Sequence, residues 1–256
     1  MNNATAAGQL VPFYDSKGIT LYCANYEEIL PKLAADSFDC LLTDPPYGNT
    51  ELAWDKSIDW SFFWNEAHRL CRPNAPLVLF ACGKFVNKLI NTNPKHYRYD
   101  LIWEKDKSVG FLDANRKPLR AHESILFFSK LFRGSTYNPQ MTEGKMHVRS
   151  KGICKAAHYS TPTKVMPGIR TNLFHPRSVL RFSKGPAKSL HPTQKPLDLM
   201  KWLILTYTNR NDRILEPFAG SGSTLVAAAY HGREAIGIEQ NMAYCDTIAR
   251  RLEQGE

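Results

Sequence analysis

The chain has 256 residues, 43% of them apolar, and a formal net charge of +9. This length and composition suit one large globular domain, or one domain with an insertion. No stretch approaches the roughly 18 consecutive apolar residues of a membrane span, and residues 1–5 lack the charged and apolar regions of a secretion signal.

Cysteine usage predicts a reducing compartment. The cysteines are scattered, several lie in apolar runs, and none forms a Cys-x-x-Cys pair. We therefore expect buried free thiols in the cytoplasm, with neither a zinc site nor a disulfide framework. The positions are Cys23, Cys40, Cys71, Cys82, Cys154 and Cys245.

Strand-like and helix-like segments alternate along most of the chain, after a polar stretch, 1–18, that we expect to be a flexible arm. The predicted strands are 19–23, 38–43, 77–82, 97–103, 124–128, a run from 213, and 235–238. The predicted helices are 26–34, 57–71 capped by Ser57, a short one after Gly83, 196–208, 224–230, and a last one ending near 252. The alternation predicts an α/β, Rossmann-like fold whose mostly parallel central sheet has helices on both faces.

The alternation stops at about Leu131. Some sixty residues then show no clear period, and a structureless loop of that length is uncommon in a compact domain unless it is functional. Residues 131–190 carry eleven basic side chains and one acidic one, so the positive charge is concentrated there. We interpret 131–188 as a basic insertion between two halves of one core, 19–130 and 189–256. Such a surface favours a polyanion such as nucleic acid; the alternative is a solvated loop.

The segment Asp44-Pro45-Pro46-Tyr47 follows a predicted buried strand. Its prolines stop the strand and stiffen the loop, at the sheet edge where open α/β folds bind ligands. The Asp44 carboxylate and the Pro45 carbonyl can accept both N–H bonds of an amino group, while the Tyr47 ring can stack on a flat molecule. The alternative is a proline-rich turn with a packed tyrosine.

A glycine turn joins a later strand to a helix. Gly220 and Gly222 would let the backbone approach a ligand, and Glu239, at the end of the next strand, can accept hydrogen bonds from ribose hydroxyls. No Gly-Lys-Ser/Thr follows the turn, so it is not a phosphate-binding loop. Glu216 and the Phe218 ring suit a cationic ligand such as a sulfonium. The alternative is a glycine turn with a structural role only.

With these segments the chain resembles the β-class of amino DNA methyltransferases, which transfer a methyl group from S-adenosylmethionine to an exocyclic base amine. The resemblance covers about residues 19–130 and 190–253. Its motif order, with the catalytic segment first and the cofactor loop after a variable basic segment, is that of the class. The matching segments are Asp44-Pro45-Pro46-Tyr47, His191-Pro192-Thr193-Gln194-Lys195-Pro196, Glu216-Pro217-Phe218-Ala219-Gly220-Ser221-Gly222-Ser223-Thr224 and Ile236-Gly237-Ile238-Glu239.

The resemblance implies a role for individual residues and no metal. Catalysis is assigned to Asp44, Pro45, Pro46 and Tyr47. Cofactor binding is assigned to Asn25, His191, Thr193, Lys195, Glu216, Phe218, Gly220, Ser221, Gly222 and Glu239. Target recognition is assigned to 131–188, where the selected DNA contacts are Arg149, Lys151, Arg177 and Arg181. Two positions depart from the class, because Asn25 and Glu216 stand where an acid and an aspartate are usual.

Two pairs of residues keep an alternative. Thr193 and Lys195 would hold the cofactor carboxylate, or else cap the helix that starts near Pro196. His122 and Glu123 precede an apolar strand, and they either line the catalytic pocket or have a structural role.

The resemblance predicts a site-specific methyltransferase that acts on double-stranded DNA, at the N6 amine of an adenine flipped out of the duplex. Adenine is favoured because members with aspartate at the first catalytic position mostly modify adenine. The alternatives are N4 of cytosine, then an RNA or protein amide substrate, or a nucleic-acid-binding protein without enzyme activity. We expect a cytoplasmic, bacterial or phage-type protein that is associated with the nucleoid through DNA. A homodimer and a companion restriction enzyme stay open.

Overall fold

The computed structural model describes residues 10–48, 58–151, 166–183 and 194–255. The chain divides into two compact units, the smaller formed by Pro139–Arg177 and the larger by the residues on either side of it. The smaller unit begins later in the chain and ends earlier than the predicted insertion, 131–188. Within the described ranges, no helix is both long enough and apolar enough to cross a membrane.

Eleven strands and six helices make up the described chain. The strands are β1 (Tyr14–Ser16), β2 (Ile19–Cys23), β3 (Cys40–Thr43), β4 (Leu77–Ala81), β5 (Tyr97–Val109), β6 (Arg120–Phe128), β7 (Thr142–Lys151), β8 (Met166–Phe174), β9 (Val179–Arg181), β10 (Arg213–Glu216) and β11 (Glu234–Glu239). The helices are α1 (Tyr26–Ile29), α2 (Trp60–Leu70), α3 (Lys84–Thr92), α4 (Leu197–Tyr207), α5 (Ser223–Tyr230) and α6 (Met242–Gln254).

The larger unit is built on a nine-stranded sheet in the order β1-β2-β11-β10-β3-β4-β6-β5-β9. Strands β2, β11, β10, β3 and β4 are parallel neighbours, and β9 runs parallel to β5. Strand β6 is antiparallel to both β4 and β5, and β1 is antiparallel to β2. The α/β fold with a mainly parallel sheet is thereby confirmed.

Helices cover both faces of this sheet. Successive side chains of a strand point to opposite faces, and in β4 Val78 and Phe80 pack in one apolar core while Leu77 and Leu79 pack in another. The first core also contains side chains of α4, α5 and α6, and the second contains those of α1, α2 and α3. Strands that are buried on both faces read as continuous apolar runs, which is why β3 and β4 were recognisable in the sequence.

Local differences from the prediction have local causes. Residues 14–16, expected within a flexible arm, form a strand because they pair with β2. Helix α2 is capped by Asp59, whose carboxylate accepts from the Ser61 and Phe62 backbone N–H groups at 2.8 and 3.1 Å. The predicted cap, Ser57, lies outside the described residues. Helix α1 ends early, in a 3-10 turn that contains Pro31.

Residues 131–188 contain regular structure, although the sequence shows no clear period there. Strands β7 and β8 pair antiparallel within the smaller unit, and β9 extends the sheet of the larger one. Prolines of this segment lie near strand ends, where proline is tolerated: Pro139 precedes β7, Pro167 is the second residue of β8 and Pro176 follows it. The absence of a long apolar run concealed these strands from the sequence.

The topology brings the candidate residues to one place. We call the end at which β2, β3, β4, β10 and β11 finish the carboxyl edge of the sheet. Because these strands are parallel, Asn25, Asp44, Glu216 and Glu239 follow or end their strands at this edge. Strand β6 runs the other way, so its first half, including Glu123, lies at the same edge.

Candidate active site

A cavity of about 370 Å³ opens at the carboxyl edge. Its wall combines the loop after β2, the Asp44–Tyr47 segment after β3, the glycine turn after β10 and the residues that follow β11. Gln194 and Lys195, immediately before α4, complete it. All of these elements belong to the larger unit.

Asp44 is held from both sides in this cavity. The Tyr47 hydroxyl donates a hydrogen bond to Asp44 Oδ1 at 2.8 Å, and the Lys195 ammonium forms an ion pair with Oδ2. The Tyr47 ring also stacks on Phe85, with 4.5 Å between ring centroids. One face of Tyr47 is therefore covered, and its hydroxyl fixes the rotamer of the carboxylate.

Lys195 belongs to a chain of alternating charges. Its ammonium lies 3.4 Å from Glu123 Oε2, and Glu123 is in turn paired with Lys105. The Lys195 ammonium also lies 4.9 Å from the centre of the Phe80 ring, an arrangement in which the ring face stabilises the cation. The side chain is 8% exposed, so these partners take the place of water.

Burial and neighbouring charges compete in setting the pKa values of this chain. Burial raises the pKa of Asp44, and Glu123 raises it further, against the opposing effect of the Lys195 ammonium. Burial alone would lower the pKa of Lys195, but the two carboxylates outweigh it and the pKa is raised. Burial would likewise raise the pKa of Glu123, yet Lys195 and Lys105 outweigh it and the pKa is lowered. At neutral pH Lys195 and Glu123 are therefore both charged.

Glu216 is a buried carboxyl group at the floor of the cavity. Its oxygens accept hydrogen bonds from the hydroxyls of Thr43 and Thr224, the latter at 2.6 Å, and from the Phe218 backbone N–H at 3.2 Å. Burial raises its pKa to about 8, although these three donors pull in the other direction. A cationic ligand in the cavity would favour the ionised form of this group.

The glycine turn and Glu239 are joined by hydrogen bonds. Glu239 Oε2 accepts from the Gly220 backbone N–H at 2.9 Å, and Oε1 accepts from the Asn241 N–H at 2.8 Å. Gly220 has a left-handed φ of 54°, which glycine adopts without steric cost. Gly220, Ser221 and Glu239 all line the cavity. Burial raises the pKa of Glu239.

Gly222 has a different reason to be glycine. Its φ is 77°, and a Cβ placed there would lie 2.8 Å from Cγ1 of Ile248 in α6. The close approach is thus between the start of α5 and α6, within the apolar core. Two interpretations of Gly222 therefore stand. The sequence predicts that it lets the backbone approach a ligand, and the structure offers packing against Ile248 as the alternative.

Asn25 lines the cavity and also caps α1. Its side-chain oxygen accepts from the Glu27 backbone N–H at 3.1 Å, as asparagine commonly does at a helix start. Phe218 packs on Tyr26 of that helix with ring centroids 4.8 Å apart. The cap therefore fixes the wall that carries both aromatic rings.

The structure describes the remaining predicted residues to different extents. His191 and Thr193 lie outside the described residues, and for Arg149 and Lys151 only the backbone, in β7, is described. Arg177 is exposed in the smaller unit. Arg181, in β9, is exposed but donates to Glu104 Oε2 of β5 at 2.8 Å.

Glu123 and Lys105 became candidates through the structure. The sequence left Glu123 between a structural and a pocket role, and its contact with Lys195 draws it into the charge chain around Asp44. Lys105 had no signal of its own, because it is one basic residue in a polar half of β5. Among the described residues, no three or more His, Cys, Asp or Glu side chains are grouped to hold a metal ion.

Comparison with known proteins gives a consistent result. The profile of the DNA methylase family matches residues 38–250. The type II methyltransferase M2.MboI of Moraxella bovis is 45% identical, over 96% of this chain and 92% of that protein. The DNA adenine methyltransferase YhdJ of Escherichia coli K12 is 30% identical, over 88% of this chain and 79% of that protein.

Solved structures agree with the fold. The crystal structure of the M1.HpyAVI–SAM complex superposes with a TM-score of 0.63 and 25% identity, covering 91% of this chain and all of that one. The cytosine-N4-specific PvuII DNA methyltransferase gives a TM-score of 0.66 over 96% of both chains, at 17% identity, and thus supports the fold alone. On the family match and these relatives, the chain belongs to the DNA methylase family.

Proposed function

We propose that this chain transfers a methyl group from S-adenosylmethionine to the N6 amine of an adenine in double-stranded DNA. The observation that carries the proposal is the position of Asp44. Its carboxylate lies at the carboxyl edge, oriented by Tyr47 and Lys195, in the same cavity as Glu239 and the glycine turn. In this proposal the acceptor for the amine and the site for the nucleoside cofactor share one cavity.

The residues of the cavity fit the cofactor. Glu239, Asn25 and Gly220 line the cavity; we assign Glu239 to the ribose and Asn25 to the adenine of the cofactor, and Gly220 to close approach of the backbone. Glu216 and Phe218 offer a carboxyl group and a ring to a cation, and burial without a cationic partner is what raises the pKa of Glu216. S-adenosylmethionine supplies an electrophilic methyl group on a positively charged sulfur.

Asp44 and the Pro45 carbonyl activate the amine in this proposal. The lone pair of an aniline-like nitrogen is delocalised into the ring, so accepting both N–H bonds shifts the nitrogen towards tetrahedral geometry and frees that pair. A carboxylate oxygen has a second acceptor site, so Asp44 can keep Tyr47 and Lys195 while it receives the substrate. Asp44 then stabilises the positive charge that develops on nitrogen, and much of the acceleration comes from positioning.

Tyr47 is assigned the stacking of the extruded base. The amine of a paired base cannot reach Asp44, so the nucleotide must leave the stack. Phe85 covers one face of the Tyr47 ring, which leaves the opposite face to the base. Lys195 and Glu123 act as positioning residues, because they touch Asp44 directly or through one another and not the transferred group.

The choice of adenine rests on two observations. Asp44 is the residue that the adenine-directed members of the resembled class carry, and the relative YhdJ is named a DNA adenine methyltransferase. Cytosine N4 is the second candidate, since it presents a similar exocyclic amine. The test is expression in a host without methyltransferases, followed by hydrolysis of its DNA and mass spectrometry. N6-methyladenine supports the proposal, and N4-methylcytosine alone would replace it.

DNA binding and cellular context complete the proposal. The basic residues Arg149, Lys151, Arg177 and Arg181 are assigned to the duplex, and the chain is placed in the bacterial cytoplasm, where its relatives' hosts keep their DNA. The chain is also proposed to protect DNA from a companion restriction enzyme, as relatives named type II methyltransferases suggest. Whether the active form is a homodimer is decided by sedimentation of the purified protein.

A further inference from the structure

The turn between β5 and β6 exposes an unusual amount of apolar surface. We call residues 106–120 the hairpin tip. Leu112 is 92% exposed and Phe111 is 73% exposed, and Val109 and Leu119 are each more than 40% exposed. Phe111 and Leu112 begin a single 3-10 turn that follows Gly110, whose φ is 89°. Neither side chain helps to form the apolar cores described above.

The hairpin tip stands beyond the carboxyl edge. Ser124 pairs with Ala81 at the end of β4, and Glu123 contacts Lys195 beside Asp44. From Glu123 the chain of β6 continues outward for three more residues to Arg120, which pairs with Val109. At about 3.3 Å per residue, the tip begins about 10 Å above the level of Glu123.

The charge around the exposed apolar residues is positive. The tip contains four basic and two acidic side chains, a net charge of +2. The two acids are already engaged: Asp113 pairs with Lys117 at 3.1 Å, and Asp106 accepts from Ser183 at 2.7 Å. Lys107 and Arg116 are exposed in the same tip, and Arg116 lies 3.9 Å from Asp113, with an 86% exposed side chain. Apolar residues surrounded by basic ones suit a polyanion whose interior is apolar.

We propose that the hairpin tip is a wedge for duplex DNA, in which Phe111 and Leu112 enter the base stack while Lys107 and Arg116 contact phosphates. This inference rests on the proposed function, since it concerns how a base is flipped out of the duplex to reach Asp44. Apolar side chains inserted between base steps unstack them, at a cost of a few kcal/mol that the new contacts offset. A wedge on the edge where the base is received lowers the free energy needed to extrude it.

The test compares duplex with unpaired DNA, so that the cost of opening the stack is present in only one substrate. The variant is the full chain that carries Phe111→Ala and Leu112→Ala together, and it is compared with the unaltered chain. The substrates are plasmid from a host without methyltransferases and the same plasmid heat-denatured, and the readout is tritiated methyl incorporation. We expect kcat/KM to fall at least 10-fold on the duplex and less than 2-fold on denatured DNA. A Tyr230→Ala variant, 68% exposed at the far end of α5, is the matched control and should change neither.

Two results would overturn the wedge. One is unchanged kcat/KM on the duplex; if the sedimentation coefficient changes at the same time, the exposed apolar residues meet a second copy of the chain. The other is an equal loss on both substrates. If the unaltered protein methylates neither substrate, the proposed function fails, and fluorescence anisotropy with a labelled 24-base-pair duplex still decides the wedge: the double variant must bind at least 10-fold more weakly, whereas unchanged binding overturns it.

Discussion

Asp44 shows how one carboxylate is tuned by a few contacts. Its pKa is raised by burial and by Glu123, while Lys195 opposes both. Only the ionised form accepts both an N–H bond and the developing charge, so activity should fall as pH falls through this pKa. Replacing Asp44 by alanine should reduce methyl incorporation at least about 100-fold while calorimetry finds cofactor binding retained. Equal loss of both would contradict the role given to Asp44.

The pH dependence of activity should move in opposite directions in two variants. Lys195→Gln removes the cation that lowers the pKa of Asp44, so the acidic limb of the kcat profile should shift to higher pH. Glu123→Gln removes a carboxylate that raises it, so the limb should shift to lower pH. Lys201→Gln, which removes the half-buried partner of the exposed Asp198, is the control. Shifts in the same direction, or none, would mean that neither neighbour acts through the charge of Asp44.

Glu216 makes a prediction about stability. Its pKa is about 8 in the folded chain and ordinarily 4.5, so the folded state binds more protons between these values. Stability that depends on the protonated form is present below pH 4.5 and is lost as pH rises through 8. Without cofactor, the melting temperature of the natural chain should therefore fall relative to that of Glu216→Gln between pH 5 and 8. A constant difference between the two would show that Glu216 does not titrate in this range.

The strands differ in how well they could be predicted from the sequence. Strands β3 and β4 are buried on both faces, so their apolar runs predicted them directly. Strand β5 was predicted only to residue 103, because its outer half is polar and exposed. Strands are recognised in a sequence by their apolar residues, and this half of β5 has few of them. The contact between Glu123 and Lys195 joins distant parts of the chain through the antiparallel setting of β6. A sequence alone does not reveal that register.

The glycine turn offers a test that separates ligand approach from packing. Gly220→Val should weaken binding of S-adenosylmethionine measured by calorimetry, because Gly220 lines the cavity. Gly222→Ala should chiefly destabilise the fold by about 1–3 kcal/mol, because its Cβ would meet Ile248. Combining Gly222→Ala with Ile248→Ala should cost less than the sum of the single changes. Strict additivity would show that Ile248 is not what requires glycine at this position.

At the scale of the whole molecule, the candidate active site and part of the basic segment 131–190 belong to different compact units. The cavity with Asp44 belongs to the larger unit, which also carries the hairpin tip, whereas β7, β8 and Arg177 belong to the smaller one. The sequence located the positive charge in 131–190, and the structure divides that stretch between the two units. Arg181 thereby becomes a residue of the catalytic unit. Its exposure alone does not make it a DNA contact, because it is bonded to Glu104.

This difference gives a prediction for DNA binding. Each phosphate contact that is lost should lower the slope of log affinity against log salt by about one unit. Arg177→Ala, which removes an exposed charge, should therefore lower the slope by about one, as should each half of the pair Arg149→Ala and Lys151→Ala. Arg181→Ala should lower it less, because the Glu104 carboxylate 2.8 Å away already offsets that charge. The measurement is anisotropy of a labelled duplex between 50 and 200 mM salt, with Lys201→Ala as the control. If none of the four substitutions alters the slope, the duplex is held by other residues and the assignment of DNA recognition to this stretch is wrong.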